Sequence, residues 1–410
     1  MELYISILIM RKRLGMKKQN VLMAHNYYKV PGGEDTVFHN EVNMLEKNGH
    51  KVIKYTRHND EIKSGIFSKL KLGIETIFSL KTYKEVKKII DENDIDVVHV
   101  HNTLPLISPS IYYAAMSKKV SVVQTIHNFR LLCPRATFTR EGHICEECVS
   151  KGLRQSLKYR CYRNSLFQTF IMYAMLTFHR IIGTYDKINY IALTEFNKSK
   201  ISSLVKDDSK IYVKPNFVEK REKTERILDD YFVYIGRLDD IKGINFLVEA
   251  WKEIDKNIDL YVIGTGPEEE NVKRFIKENN IENIKLLGFM KREDAFEIIQ
   301  KSRSIIVPSK WYEGFPMTIV ESFSLGVPVI GSKIGNIESI IFDKIDGRLF
   351  EMNNKESLKD IIEDVFYNKE KNELLGENSY ITFNKNYTDI ENYKELIEIY
   401  IDLVGGKIVK

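Results

Sequence analysis

From residue 20 onward the apolar positions switch between two periods. NVLMAH is a short apolar run of strand type, and EDTVFHNEVNMLEKNG behind it has helical spacing that ends at Gly49. KVIKY, DVVHV, VSVVQTI and INYIAL follow as further β-branched runs, with helical patterns between several of them. Strands that alternate with helices predict a parallel sheet with crossover helices. Around residues 214–230 the texture changes to the charged KPNFVEKREKTERILDD, and the domain junction is expected inside it. Alternation then restarts: YFVYIG, a helix from Gly243, DLYVIG, a helix around EENVKRFIKEN, IKLLGF, a helix around EDAFEIIQ, SIIVP, a helix from about Pro316, and VPVIG. A last helix near NYKELIEIYIDLV follows a loop that contains Tyr387. The pattern predicts an α/β chain of two Rossmann-like, doubly wound domains. The N-terminal one covers 18–216, the C-terminal one 217–385, and a helical segment covers 386–410.

Composition narrows this picture. A length of 410 residues suits two cores, and 43% apolar with 29% charged residues is a folded rather than a disordered chain. The net charge is +5, with Lys and Arg scattered among Asp and Glu, so no nucleic-acid partner is expected. A weakly basic surface suits anionic substrates or an anionic membrane face. No stretch has eighteen uninterrupted apolar residues, so no transmembrane helix is expected. In MELYISILIMRKRLGMKK the apolar part precedes the positive charges, the reverse of a secretory signal. Residues 1–17 are expected to form a leader outside the fold, MKKQNVLMAH from Met16 reads as a start, and the expected location is cytoplasmic.

In open α/β sheets, ligands sit beyond the carboxyl ends of the strands. After the first strand comes HNYYKVPGGEDT, where Gly32 and Gly33 allow close approach of a ligand beside a helix N-terminus that suits an anion. The competing reading is a plain turn. His127 follows VSVVQTI and is placed to meet a sugar hydroxyl, or else caps a loop; His99 and His101 lie within a strand pattern and read as structural. After YFVYIG comes GRLDDIKG, with Arg237 a planar fork and Lys242 a mobile point charge, together suited to a diphosphate. Gly264 and Gly266 in GTGPE again permit close approach. WYEGFPMTIVES places Glu313 in a loop at a helix start and Glu321 about two turns inside that helix. A carboxylate buried there costs several kcal/mol unless it is paired. A ribose diol would pair Glu321 and sugar hydroxyls would pair Glu313; the alternative for Glu321 is an internal Arg or Lys.

GRLDDIKG, the E-x7-E pair in EGFPMTIVE, PGG near the N-terminus and a strand-end His together resemble glycosyltransferase family 4, over about residues 18–405. The resemblance implies the GT-B fold, two Rossmann-like domains facing a central cleft. It implies retaining transfer of a sugar from a UDP- or GDP-sugar without a catalytic metal or other cofactor. Carried onto this chain, Arg237 and Lys242 bind the donor diphosphate, Glu321 the ribose and Glu313 the donor sugar. Gly314, Phe315, Pro316 and Met317 form the backbone around the donor, with Gly236 and Gly266 also lining it. His127 faces the sugar, and Gly32 and Gly33 approach the phosphates. Asn128 stands where many relatives carry Asp and takes no catalytic role. The competing functions are another GT-B enzyme, such as a nucleotide-sugar epimerase, and a non-catalytic sugar-nucleotide-binding assembly protein.

The segment from Cys133 to Cys161 resembles only the bacterial surface-polysaccharide subset, which implies a glycan or lipid-linked acceptor. SLFQTFIMYAMLTFHRIIGTY, residues 165–185, reads either as a contact with the inner membrane face or as a core helix. Cys133, Cys145, Cys148 and Cys161 are spaced C-x11-C-x2-C-x12-C. One C-x2-C pair with two outlying thiols suits a structural zinc; unligated thiols are the alternative.

Overall fold

The computed structural model describes residues 18–30, 32–222, 226 and 228–405. The expected leader and Pro31 of the PGG turn lie outside the described residues. The chain divides into two compact units: one runs to Thr125 and includes the chain end from Ile397, and the other is Ile126–Leu396.

In the first unit, strands β1 (Asn20–Tyr27), β2 (Lys51–His58), β3 (Val97–Val100) and β4 (Ser121–Ile126) pair in parallel in the order β2-β1-β3-β4. Val21, Leu22, Met23 and Ala24 are all fully buried, as expected of a parallel strand covered on both faces. The crossovers are α1 (Gly33–Lys47), α2 (Ile66–Ile77) with α3 (Leu80–Asn93), and α4 (Ser110–Ser117). Helix α1 turns Val37, Phe38, Val42 and Leu45 inward at helical spacing. Ser79 caps α3 by accepting from the Thr82 N–H, and Asp94 ends it in the left-handed region.

The second unit opens with a small lobe: the hairpin strands β5 (Thr139–Arg140) and β6 (His143–Ile144) and the short helices α5 (Glu147–Ser150) and α6 (Arg154–Lys158). Then come α7 (Leu166–Ile181), β7 (Asn189–Ala192), α8 (Glu195–Ile201) and β8 (Ile211–Val213), with β7 and β8 parallel. Its main sheet contains β9 (Tyr231–Ile235), β10 (Asp259–Ile263), β11 (Ile284–Gly288), β12 (Ile305–Val307), β13 (Val329–Ser332) and β14 (Gly347–Phe350). All pair in parallel in the order β11-β10-β9-β12-β13-β14. The intervening helices are α9 (Ile244–Trp251), α10 (Glu269–Glu278), α11 (Arg292–Lys301), α12 (Met317–Ser324) and α13 (Gly335–Ile340). Helices α14 (Lys355–Tyr367), α15 (Lys369–Asn386) and α16 (Asp389–Gly405) close the chain.

Alternate residues of β9 feed two separate cores. Phe232 and Tyr234 join α9 and α14 on one face, whereas Tyr231 and Val233 join α11 and α12 on the other. The chain winds from β9 out to β11 and returns to β12 on the opposite flank of β9. The order therefore reverses between β9 and β12, and a crevice beyond their carboxyl ends is the favoured ligand position.

Candidate active site

The two strands at that reversal deliver the charged residues. Beyond β9, a 3-10 turn over Asp240–Lys242 ends at Gly243, whose φ of +79° is left-handed. A Cβ on Gly243 would run into the Pro308 carbonyl oxygen just past β12. Glycine is therefore required where the β9 turn crosses the end of β12. This crossing brings Lys242 to Glu313: Nζ donates to Oε1 at 2.7 Å and to Oε2 at 2.8 Å. Glu313 Oε1 also accepts from Ser309 Oγ at 2.6 Å and Trp311 Nε1 at 3.2 Å. The Glu313 side chain is only 7% exposed, so four charge-assisted bonds offset its desolvation. Lys242 is 33% exposed and also lies over the Trp311 ring. Arg237, at the end of β9, is 68% exposed, with Nη2 3.5 Å from Asp239.

The loop that carries Glu313 is fixed from behind. Asn197 and Asn336 each donate Nδ2 to the Gly314 carbonyl at 2.8 Å, and Asn336 also donates to the Glu313 carbonyl. Asn336 Nδ2 bonds Asn197 Oδ1 at 2.7 Å, and Thr194 donates to Asn336 Oδ1. A Cβ on Gly314 would collide with the His127 carbonyl oxygen, so His127 and Gly314 meet backbone to backbone. Phe315 packs its ring near Tyr387, Pro316 precedes α12, and Met317 begins it. The first-turn N–H groups of a helix have no intrahelical acceptor, and here they lie one residue beyond Glu313–Pro316.

Glu321 has an internal partner. Arg292 donates Nε to Glu321 Oε1 at 3.1 Å, with Nη2 at 2.9 Å from the same oxygen. This is the alternative named from sequence. Burial pushes the Glu321 carboxyl above the usual range, opposed by Arg292 and Arg221. Of the glycines, Gly236 bonds its N–H to Ile263 O at 3.0 Å, and Gly266 lies so close to Leu238 O that a side chain has no room. Internal packing alone accounts for glycine at 266. In the first unit, the Cβ positions of Gly32 and Gly33 open onto space, with no atom within 4 Å. Asp35 takes the Gly32 N–H at 2.7 Å and meets His25 Nε2 at 2.6 Å, so that helix N-terminus already holds an anionic group.

Lys242, Glu313, Gly314 and the His127 backbone are thus brought together, while Glu321 is tied to Arg292. Ser309, Trp311, Asn197 and Asn336 were missed from sequence. Trp311 adjoins the glutamate motif and could have been weighed with it; Asn197 and Asn336 arrive from other elements and carry no local signal.

Among the described residues, one group of three metal-ligating side chains has all its ligand atoms within 4.8 Å: Glu41, His99 and His101. His101 Nε2 lies 3.2 Å from Glu41 Oε2, and His99 bonds Tyr400 OH and Thr125 Oγ1, both at 2.7 Å. These histidines are core groups with internal partners, as their strand position implied.

The chain is similar to known glycosyltransferases over most of its length. Residues 216–382 match the family "Glycosyl transferases group 1" and residues 31–220 match "Glycosyltransferase Family 4". An uncharacterized glycosyltransferase of Methanocaldococcus jannaschii is 26% identical over 364 residues, covering 87% of this chain and 91% of that one. The Escherichia coli UDP-Gal:alpha-D-GlcNAc-diphosphoundecaprenol alpha-1,3-galactosyltransferase is 24% identical over 388 residues, 90% of each chain. The crystal structure of a glycosyltransferase from Rickettsia africae superposes with a TM-score of 0.68 at 18% identity, over 95% of this chain and 99% of that one. With two parallel α/β halves and both family matches, the chain is a GT-B-fold glycosyltransferase related to the family 4 and group 1 enzymes.

Proposed function

We propose that this enzyme is a retaining transferase that moves a sugar from a nucleoside-diphosphate sugar to a glycan or lipid-linked acceptor in surface-polysaccharide assembly. The observation that carries the reading is the Lys242–Glu313 pair at the β9/β12 reversal, a cation and a carboxylate at the favoured ligand position. On this reading Arg237 and Lys242 hold the diphosphate, Glu313 a donor-sugar hydroxyl, and Glu321 the ribose in exchange for Arg292. Backbone N–H groups of Gly314–Met317 complete the donor site beside Gly236 and Gly266. His127 faces the sugar, and Gly32 and Gly33 approach the phosphates.

In the reaction the bond from the anomeric carbon to the diphosphate oxygen breaks, and a bond from the acceptor oxygen forms on the same face. The acceptor hydroxyl proton passes to the departing phosphate. Negative charge grows on the diphosphate, and cations already in place beside it favour that step.

The reading places the acceptor domain at 18–216 and the donor domain at 217–385, with 386–410 as the C-terminal helical segment. It includes a structural zinc on Cys133, Cys145, Cys148 and Cys161 and a cytoplasmic enzyme at the inner membrane face. No described helix is long and apolar enough to cross a membrane. Helix α7 buries Met172, Met175 and Leu176 while Phe167, Phe170, Phe178 and Ile181 stay exposed, which supports a surface contact. A panel of UDP- and GDP-sugars, read by thermal shift and by product formation with a lipid-linked acceptor, tests the function. Stabilisation by one donor with turnover supports it; donor binding without turnover supports the assembly-protein alternative.

A further inference from the structure

Helix α7 ends at a cavity that shares no lining residue with the β9/β12 reversal. The cavity measures about 400 Å³ and lies between the last turn of α7, the 3-10 turn Tyr185–Lys187 and residues 203–206. Leu132, Val149, Leu204 and Val205 give it apolar walls, and its charged lining is Arg180, Asp186 and Lys206. Local sequence shapes its floor. Gly183 takes a left-handed φ of +65°, which side chains rarely adopt, and turns the chain back at the end of α7. The turn is closed by Gly183 N–H to Arg180 O at 3.1 Å and Thr184 N–H to His179 O at 2.9 Å.

Packing does not explain Arg180. Its Nη2 donates to the Leu131 carbonyl at 2.8 Å, but its Nε is buried without an acceptor, and among the described residues no carboxylate pairs with it. Burial holds the guanidinium below its usual range, and the groups acting the other way are Tyr185 and Cys148, not an acid. A desolvated cation is costly unless an anion meets it. Asp186, the one acid in the lining, is engaged elsewhere: Oδ1 accepts the Lys206 N–H at 3.0 Å, and Oδ2 is 3.7 Å from Lys206 Nζ. The Lys206 side chain is 89% exposed, so its ammonium is held only loosely. Asp207 turns to Ser209, accepting its N–H at 3.0 Å and its hydroxyl at 2.7 Å. Two further cations stand on carbonyls of the same loop: Lys187 Nζ on Ile182 O at 3.1 Å, and Lys210 Nζ on Asp186 O. Phe178, Ile181 and Ile182, which flank Arg180 in sequence, are exposed.

We propose that this cavity binds a phosphate ester: the phosphate accepts from Arg180 Nε and Lys206 Nζ, and the organic part lies along the walls of Leu132, Val149, Leu204 and Val205. Hydrogen bonds between a guanidinium and a phosphate are charge-assisted and stronger than neutral ones. The same chemistry is offered by a lipid headgroup and by a soluble phosphate ester. The exposed Phe178, Ile181 and Ile182 beside Arg180 favour the lipid, because they would meet its apolar part while the loop lysines face its charge. The site stands apart from the donor-site reading of Lys242 and Glu313 and does not depend on it.

The test titrates the full chain with glycerol 3-phosphate by calorimetry and floats it with vesicles of phosphatidylglycerol in phosphatidylcholine, or of phosphatidylcholine alone. Each measurement is repeated on Lys242→Ala, which separates this site from the diphosphate site read at Lys242. Binding is expected in wild type and Lys242→Ala alike. Arg180→Met should weaken it at least about tenfold, the loss of one charge-assisted bond. Lys206→Glu, at an exposed position that leaves the fold intact, should weaken it by a similar factor. Flotation that needs phosphatidylglycerol and falls in both variants identifies a lipid phosphate; glycerol 3-phosphate binding without flotation identifies a soluble ester. Wild type that binds neither probe overturns the site. So does binding that disappears in Lys242→Ala, or that both Arg180→Met and Lys206→Glu leave unchanged. A donor panel without a hit alters none of these outcomes and counts against the donor-site reading alone.

Discussion

Lys242 donates to both oxygens of Glu313, so on the donor-site reading a diphosphate would share a cation already held in place. Preorganisation of this kind acts most strongly when charge develops on the leaving group. Lys242→Ala is expected to lower turnover at least about tenfold, with loss in kcat as well as KM and an unchanged far-UV spectrum. Near-normal steady-state turnover would remove Lys242 from the reaction. Glu321 makes a separate prediction because its carboxyl is raised by burial. The ionised form is the better acceptor for two ribose hydroxyls, so nucleoside-diphosphate affinity should fall as pH drops toward the raised value. Glu321→Gln should bind about tenfold more weakly near neutrality and lose this pH dependence, since an amide accepts less well than a carboxylate. Calorimetric titration of UDP and GDP at several pH values checks both, with Asp343→Asn as the control. Equal affinities in wild type and Glu321→Gln would leave Glu321 as the partner of Arg292 alone.

At the scale of elements, the decisive feature is the loop between β12 and α12. Its carbonyls are turned back onto Asn197 and Asn336, and its glycine touches the His127 backbone. Gly314→Ala has to displace either the loop or the His127 backbone, because the added Cβ is fixed to the Gly314 main chain and meets the His127 carbonyl oxygen. A shift of about 1 Å in a positioned group costs on the order of a hundredfold in rate. We expect at least that loss in product formation, with secondary structure by circular dichroism unchanged. Activity within a fewfold of wild type would mean that the loop tolerates displacement.

At the scale of the whole molecule, the buried Asp346 bears on the pH dependence of stability. Burial pushes its carboxyl up to about 6, even though it accepts the Phe342 N–H at 2.8 Å and the Thr382 hydroxyl at 2.9 Å. Its ordinary value is 3.8. The folded state therefore binds this proton more tightly than the unfolded state. The group's favourable contribution is complete below the ordinary value and is lost as pH rises through about 6. A shift of about two units corresponds to at most about 3 kcal/mol. Asp346→Asn keeps an acceptor for Phe342 and a partner for Thr382 without the buried charge. Denaturant unfolding should find it more stable than wild type by about 1–3 kcal/mol at pH 8, with that advantage gone near pH 4. A variant less stable at pH 8 would show that the lost charge was compensated.

The sequence by itself determined the alternation of strands and helices, the restart of the pattern after residue 214, the position of Arg237, Lys242 and Glu313 just after strands, and that of Glu321 in the helix that follows Glu313. These were legible because periodicity and turn residues act locally: the α/β pattern needs only a few neighbours to be favoured. Tertiary structure alone decided that Lys242 and Glu313 bind each other, that Arg292 takes Glu321, and that Asn197 and Asn336 lock the loop. Those partners lie 71, 29, 117 and 22 residues apart in the chain. No short-range signal distinguishes them from the other lysines, arginines and asparagines; the strand order that brings β9 beside β12 selects Lys242 for Glu313, and helix packing brings in Arg292, Asn197 and Asn336.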